Sequence, residues 1–382
     1  MLTTPRLRAA LLTTAASLAL AAPASASWTV APGTVLPNPG QTSGVSCPTT
    51  AGCLLVGAQS GATSTGLAAD WTASTSTFTQ IATASTTATH IRVSCPSTTW
   101  CMDVGYDDSG AVTVPHAESY ASVVTDTSMA APPSSVYAEG LGVSCVSSSD
   151  CWGVGFYRTS TQDRGFIEHW NGTAWSNVSF TPPTGTLASS LSDVSCASST
   201  YCVAVGWYER NGQPRQTLAE VWNGTSWTAQ TTANPVNFSG SQLLSVSCDS
   251  STRCMAVGDY SDNSFVRHSL AESSNGSTWT LRSVADPSGQ TNPRLNAVSC
   301  VTSPSYSCNA VGDAVTGAGH AAPVAATWNG TAWSLQPVAV PGSTTDNALY
   351  GVSCSNGSTC VAVGVSLYST LSGVRPWVEL GP

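Results

Sequence analysis

The sequence predicts an all-β chain: a seven-bladed β-propeller of four-stranded antiparallel blades, closed by the N-terminal strand pairing in the last blade. Three observations predict it. Fourteen cysteines fall into seven pairs at a near-constant interval. Each pair is followed by two more strand-like runs, in several repeats joined at Asn-Gly. The last repeat lacks a strand that the first residues after a leader can supply.

The elements follow in chain order. Arg6 and Arg8 precede an apolar run from Ala9 to Ala22, then Pro23 and the small-residue triplet Ala24-Ser25-Ala26. This is the pattern of a secretory signal peptide, expected over 1–26, with the domain over 27–382. The run is too short for a membrane anchor, so no membrane insertion is expected. Next comes Ser27-Trp28-Thr29-Val30-Ala31-Pro32, which resembles Ala332-Trp333-Ser334-Leu335-Gln336-Pro337 of the sixth repeat.

Seven segments then share a Val-Ser-Cys…Cys-x-x-Val-Gly pattern, with first cysteines 48, 50, 51, 52, 52 and 54 residues apart. The spacing inside each pair is six residues, and eight in the sixth repeat. Strand-like runs flank a five-residue Ser/Thr-rich stretch, so each pair is read as a stapled hairpin. The disulfides expected are Cys47–Cys53, Cys95–Cys101, Cys145–Cys151, Cys196–Cys202, Cys248–Cys254, Cys300–Cys308 and Cys354–Cys360. Each closes a loop of about seven residues, worth about 2.4 kcal/mol in the chain-entropy model. No Cys-x-x-Cys spacing occurs, and neither metal nor cofactor is expected.

The third and fourth strands meet at Trp170-Asn171-Gly172, Trp222-Asn223-Gly224, Ser274-Asn275-Gly276 and Trp328-Asn329-Gly330. Asn-Gly between β-formers signals a tight hairpin in which both turn residues take positive φ. These triplets also match glycosylation sequons, but their recurrence favours the turn reading. The seventh repeat supplies three strands, ending in Arg375-Pro376-Trp377-Val378-Glu379-Leu380, so Trp28 and its neighbours should complete that blade and leave no open edge.

The Ala204-Val205-Gly206 and Trp222-Asn223-Gly224-Thr225-Ser226-Trp227 segments, with counterparts in most blades, resemble the Asp-box and photosystem II assembly-factor-like propellers, related to the sialidase-type group. Ser273-Ser274-Asn275-Gly276-Ser277-Thr278-Trp279 comes nearest to an Asp-box and lacks its Asp. The disulfide in each blade looks more like secreted actinobacterial proteins, and 12 arginines without a lysine fit a GC-rich genome. The resemblance implies the fold and leaves function to the site.

Composition narrows that function. The net charge of −9, or −11 once Arg6 and Arg8 are removed, excludes a basic nucleic-acid binder. Fourteen paired cysteines fit an oxidising space, and the protein is expected to be secreted and monomeric. In a propeller, one face carries the disulfide loops and Asn-Gly turns. The opposite face carries the second-to-third loops and the blade linkers, which vary in length and hold most of the charge. There Tyr157, Arg158 and Arg164, then Tyr208, Arg210 and Arg215, then Tyr260 and Arg267 could form an aromatic, cationic rim for sugars or acidic groups. The alternative is that they are solvated hairpin tips. Just before Val-Ser-Cys on the innermost strand, Arg92 and Asp193 stand among small residues and could mark a central-channel site or bond to neighbouring backbone. A carboxylate recurs on the third strand at Glu118, Glu168, Glu220, Glu272 and Glu379, which suits a structural partner better than a catalytic acid. Most tryptophans fall at repeat positions and should fill blade contacts, leaving Trp100, Trp152 and Trp207 as surface candidates. No hydrolase, metalloprotease or phosphate-loop motif is present. The expected function is non-enzymatic recognition of a glycan or extracellular protein. The alternatives are a carbohydrate-active enzyme (a sialidase-like glycoside hydrolase or a polysaccharide lyase) and a structural cell-envelope module.

Overall fold

A computed structural model describes residues 27–31, 40–60, 65–75, 77–356, 359–368 and 374–381. The leader expected over 1–26 lies outside the described residues. The strands form seven four-stranded antiparallel sheets, each ordered first to fourth from the axis outward. Blades 1 to 6 span 40–81, 88–126, 137–177, 186–230, 238–281 and 290–336. Blade 7 combines 344–381 with Thr29–Val30, which pairs antiparallel to the third strand at Leu380 and Glu379. Trp28 beside it is 1% exposed. The expected closure is therefore present.

All seven disulfides form as expected. In five blades the two cysteines are direct cross-strand partners, as at Cys196 and Cys202, and the hairpin runs on to its turn beyond them. The Ser of each Val-Ser-Cys triplet has a separate task. Its hydroxyl accepts the N–H of the first cysteine in the next blade: Ser46 from Cys95, Ser94 from Cys145, Ser144 from Cys196, Ser195 from Cys248, Ser247 from Cys300, and Ser299 from Cys354. Ser353 then accepts from Cys47, joining blade 7 to blade 1. Seven bonds of 2.9–3.0 Å thus make a closed ring.

The innermost strands also share an irregularity. In every blade the pairing with the second strand slips by one residue just before Val-Ser-Cys, at Ser43, Ile91, Leu141, Ser192, Leu244, Asn296 and Tyr350. This is a β-bulge, and it reverses the in–out phase of the strand. Leu191 and Val194, three residues apart, consequently pack into one core with Val154 and Ile167 of blade 3. The Gly of Val-Gly sits opposite the bulge. A Cβ on Gly206 would fall on the carbonyl oxygen of Ser190, and the equivalent glycines in the other six blades meet the equivalent carbonyl. Glycine is required there by close backbone approach.

Two expectations about local structure are corrected. In the Asn-Gly turns only the glycine takes positive φ, 92° to 95° at Gly172, Gly224, Gly276 and Gly330. The flanking pairs, such as Trp222 with Trp227, leave a four-residue loop. Its Asn caps it, accepting at Oδ1 the N–H groups two and three residues ahead at 2.9–3.1 Å. The side chain completes the turn, so the Asn backbone need not become left-handed. Trp152 is buried at 3% exposure rather than on the surface. Blade 4 presents Trp222 and Trp227, at 4.7 and 5.1 Å between ring centroids, and these cover it.

Candidate functional site

The seven bulged residues have one destination. Ser43, Ile91, Leu141, Ser192, Leu244, Asn296 and Tyr350 all line a cavity of about 440 Å³ on the axis. Gln41, Thr89, Glu139 and Arg294, two residues earlier in their strands, line it too, with Tyr106 and Arg92. The first-strand lining residues of blades 1 to 3 lie toward the strand starts, whereas Ser192, Leu244, Asn296 and Tyr350 lie at mid-strand, so the cavity runs from the middle of the channel toward the side of the second-to-third loops. Its volume is in the range of small-molecule sites.

Arg92 forms the waist of the channel. It donates from Nη1 to Ser43 O of blade 1 at 2.9 Å and from Nη2 to Asn296 O of blade 6 at 3.4 Å. One guanidinium thus bridges three neighbouring blades' worth of arc. Its position is otherwise small because the Cβ abuts the next blade: at Gly44 it would meet Ile91 O and the Arg92 backbone, and at Gly142 the Asp193 backbone. Asp193 turns to blade 5 instead, accepting from Ser245 Oγ at 2.7 Å and Val246 N at 3.1 Å. Burial raises the Asp193 pKa, and Arg92 works against it. Arg92 belongs to the cavity. Asp193 serves a blade junction, although the two share the channel's electrostatics.

On the blade-6 wall, Arg294 donates from Nε to Asp313 Oδ1 at 2.8 Å. Asn296 Nδ2 donates to the same oxygen at 2.8 Å and to Leu349 O. Asp313 lies behind both and fixes them. On the blade-3 wall Glu139 accepts from the Tyr137 hydroxyl. Burial pushes the Glu139 pKa up, against the pull of Tyr137 and Arg158. Among the described residues no cation lies within ion-pair distance of Glu139.

The Tyr–Arg rim expected on blades 3, 4 and 5 is not gathered into one surface. Tyr157 and Arg164 line a crevice beside Phe180 and Pro182, while Tyr208 and Arg210 line another with Gln216 and Asn234. Each arginine has a local partner. Arg158 pairs with Asp163 at 2.6 Å, and Arg164 donates to Gln162 at 2.8 Å. Arg210 lies 5.0 Å over the Tyr208 ring, and Arg215 pairs with Glu209 and covers Trp207 at 3.8 Å. Arg267 donates to Asn292 O at 3.0–3.1 Å, and Tyr260 stacks on His268 at 5.0 Å. Hairpin ends hold these side chains close to home.

The recurring carboxylates divide. Glu118 accepts the N–H groups of Ala84 and Ser85 in the linker entering its blade, and Glu272 accepts from Ala233 in the equivalent linker. Glu220 and Glu379 are fully buried with neither carboxylate oxygen bonded, and burial pushes both pKa values up to about 8. Blade 2 is distinct inside. His90 Nδ1 lies 2.7 Å from Asp103, which also accepts from the Tyr120 hydroxyl at 2.7 Å.

Sequence reading missed Tyr106, Glu139, Arg294, Asn296 and Tyr350. It examined the residue directly before Val-Ser-Cys, assuming an unbroken strand. The available signal was spacing: Leu191 and Val194, Leu243 and Val246, Leu295 and Val298 are apolar at an interval of three, which an unbroken strand would place on opposite faces.

No model of a known protein family matches the sequence, and no curated protein does. Solved structures do share the architecture. The WD40 β-propeller domain of Doa1 is similar with a TM-score of 0.56 at 9% identity, over 92% of this chain and 97% of that one. The Hadza microbial sialidase Hz136 gives a TM-score of 0.40 at 11% identity, over 72% and 74%. A Trypanosoma rangeli sialidase in complex with sialic acid gives 0.47 at 9%, over 90% and 54%. The seven disulfides indicate an oxidising, extracellular-type environment. Among the described residues no helix is long and apolar enough to cross a membrane. The chain is a seven-bladed, disulfide-stapled β-propeller, similar in fold to the WD40 β-propeller domain of Doa1.

Proposed function

We propose that this chain is a secreted, non-enzymatic recognition propeller that binds a glycan or an extracellular protein on the face of the second-to-third loops. The observation that carries this reading is the bulge in every blade, which turns seven side chains of five kinds into one axial cavity. A repeated structural device thus serves a non-repeated surface, which is what selective recognition needs. Glu139 is the one carboxylate among the residues lining that cavity. Glycoside hydrolysis by the two-carboxylate route asks for a pair. The leader over 1–26 and a monomeric state belong to the same proposal.

The test is a panel of glycans, polysaccharides and peptides assayed with the purified protein for both retention and cleavage. Retention without product is expected. Release of product would replace recognition with the carbohydrate-active alternative, and absence of both would favour the structural module.

A further inference from the structure

The lining of the axial cavity holds one carboxylate, Glu139 on blade 3, and two guanidiniums, Arg294 on blade 6 and Arg92 on blade 2, the latter spent on the Ser43 and Asn296 carbonyls at the waist. In a ring of seven, blades 3 and 6 are three steps apart one way and four the other, so Glu139 and Arg294 face each other across the axis. Arg294 is ion-paired at Nε with Asp313 behind the wall, and among the described residues no partner is seen at its two Nη groups. Glu139 has a hydroxyl partner and no ion pair among the described residues. Tyr106, which lines the cavity from blade 2, adds a ring beside the acidic wall, and Tyr350 adds a phenol beside Arg294. Aromatic rings next to a carboxylate favour an ammonium group. A guanidinium with its outer edge free favours a carboxylate in bidentate contact. Ile91, Leu141 and Leu244 supply an apolar lining between the two charged walls.

We propose that the cavity binds a short peptide with both termini free, its ammonium at Glu139 and its carboxylate at Arg294. This rests on reading the cavity as the recognition site, and it goes beyond the glycan or protein of that reading to a free peptide. A single α-amino acid carries both charges on one carbon, whereas two or three residues separate them by an extended chain of about 3.3–3.6 Å per residue, which suits charged groups on opposite walls. Arg92 closes the waist, so the peptide enters from the loop face.

Titration calorimetry with dialanine and trialanine, their N-acetyl and C-amide forms, free alanine and maltose tests this on the full chain. One of the two free peptides should bind, and blocking either end should weaken it at least tenfold. In Glu139→Gln, N-acetylation should no longer matter. In Arg294→Gln, amidation should no longer matter. Equal binding of blocked and free peptides, or binding of maltose without any peptide, overturns the zwitterion assignment and leaves recognition standing. If neither free peptide is retained, the zwitterion assignment fails, while recognition is decided separately by the wider panel of glycans, polysaccharides and peptides. The blocked-peptide comparison uses the unmodified protein, so it decides even where a variant does not fold.

Discussion

Glu220 offers the cleanest quantitative test of the blade interior. Its carboxyl is fully buried, neither oxygen is bonded, and its pKa is pushed from 4.5 up to about 8 by burial. The folded state therefore holds this proton more tightly than the unfolded chain does. Stability from the protonated form is present below pH 4.5 and is lost as pH rises toward 8. With 1.36 kcal/mol for each pKa unit, the loss is about 1 kcal/mol at pH 5, about 3 kcal/mol at pH 7, and about 5 kcal/mol above pH 8. Glu220→Gln keeps the shape and removes the titration. Denaturant unfolding of both proteins, disulfides intact, should be followed from pH 4 to 9. The stability difference should be near zero at pH 4 and should grow by about 2–3 kcal/mol in favour of glutamine by pH 7. Glu168, Glu272 and Glu379, also raised by burial, are common to both proteins and cancel in the difference. A pH-independent difference would refute the reasoning, because it would mean that solvent reaches the carboxylate in the folded state.

Other predictions concern the ring and the bulges. Ser195→Ala leaves the Cys248 N–H without its acceptor and should cost about 1–3 kcal/mol, with faster amide exchange confined to the junction of blades 4 and 5. Trp28→Ala removes a fully buried ring from the closing strand and should cost about 3–5 kcal/mol, read as a lowered midpoint of unfolding. Gly206→Ala forces a Cβ onto Ser190 O and should cost about 1–3 kcal/mol, while displacing Ser192 from the cavity wall in a crystal structure of the variant. Burial lowers the His90 pKa, but Asp103 and Glu118 raise it more, so the net shift is upward. Its contribution is full below pH 6.5 and fades as pH rises through the raised value, and His90→Gln should flatten that part of the stability profile.

The cysteine spacing, the Asn-Gly turns and the orphan Trp28 strand were enough to specify seven blades and their closure, because each reports a contact made inside one repeat or between the chain's two ends. The serine ring was not visible in the same way. Its bonds join residues about fifty apart in sequence, and a serine in a Ser-rich chain carries no mark of its partner. The partners of the rim arginines were equally invisible: sequence places Arg158 and Arg215 on a face but cannot say that a hairpin neighbour, Asp163 or Glu209, engages them. The cavity was missed through one backbone irregularity. A bulge shifts which residue points inward, so Arg92 was noticed and Arg294, in another blade, was not.

That irregularity also explains how the cavity can vary while the repeats stay regular. The leucine before the bulge and the valine after it pack on the preceding blade, and the serine after the valine binds the next. Each of these positions has a neighbour that constrains it. The bulged residue has no register partner on the second strand and faces the axis. Ser, Ile, Leu, Asn and Tyr all occur there, and among them Asn296 alone is described with side-chain bonds to its second strand and the next blade, at Asp313 and Leu349 O. Stability in this chain is thus carried by the Val, Ser, Cys and Gly positions that repeat, whereas selectivity falls to those that do not. Exchanging the bulged residues, for example Tyr350→Ser, should therefore leave the unfolding midpoint within the range of ordinary surface substitutions, about 0.5 kcal/mol. Ligand binding should change. A loss of stability several times larger would mean that the axial residues hold the ring together, and the separation of scaffold from site would fail.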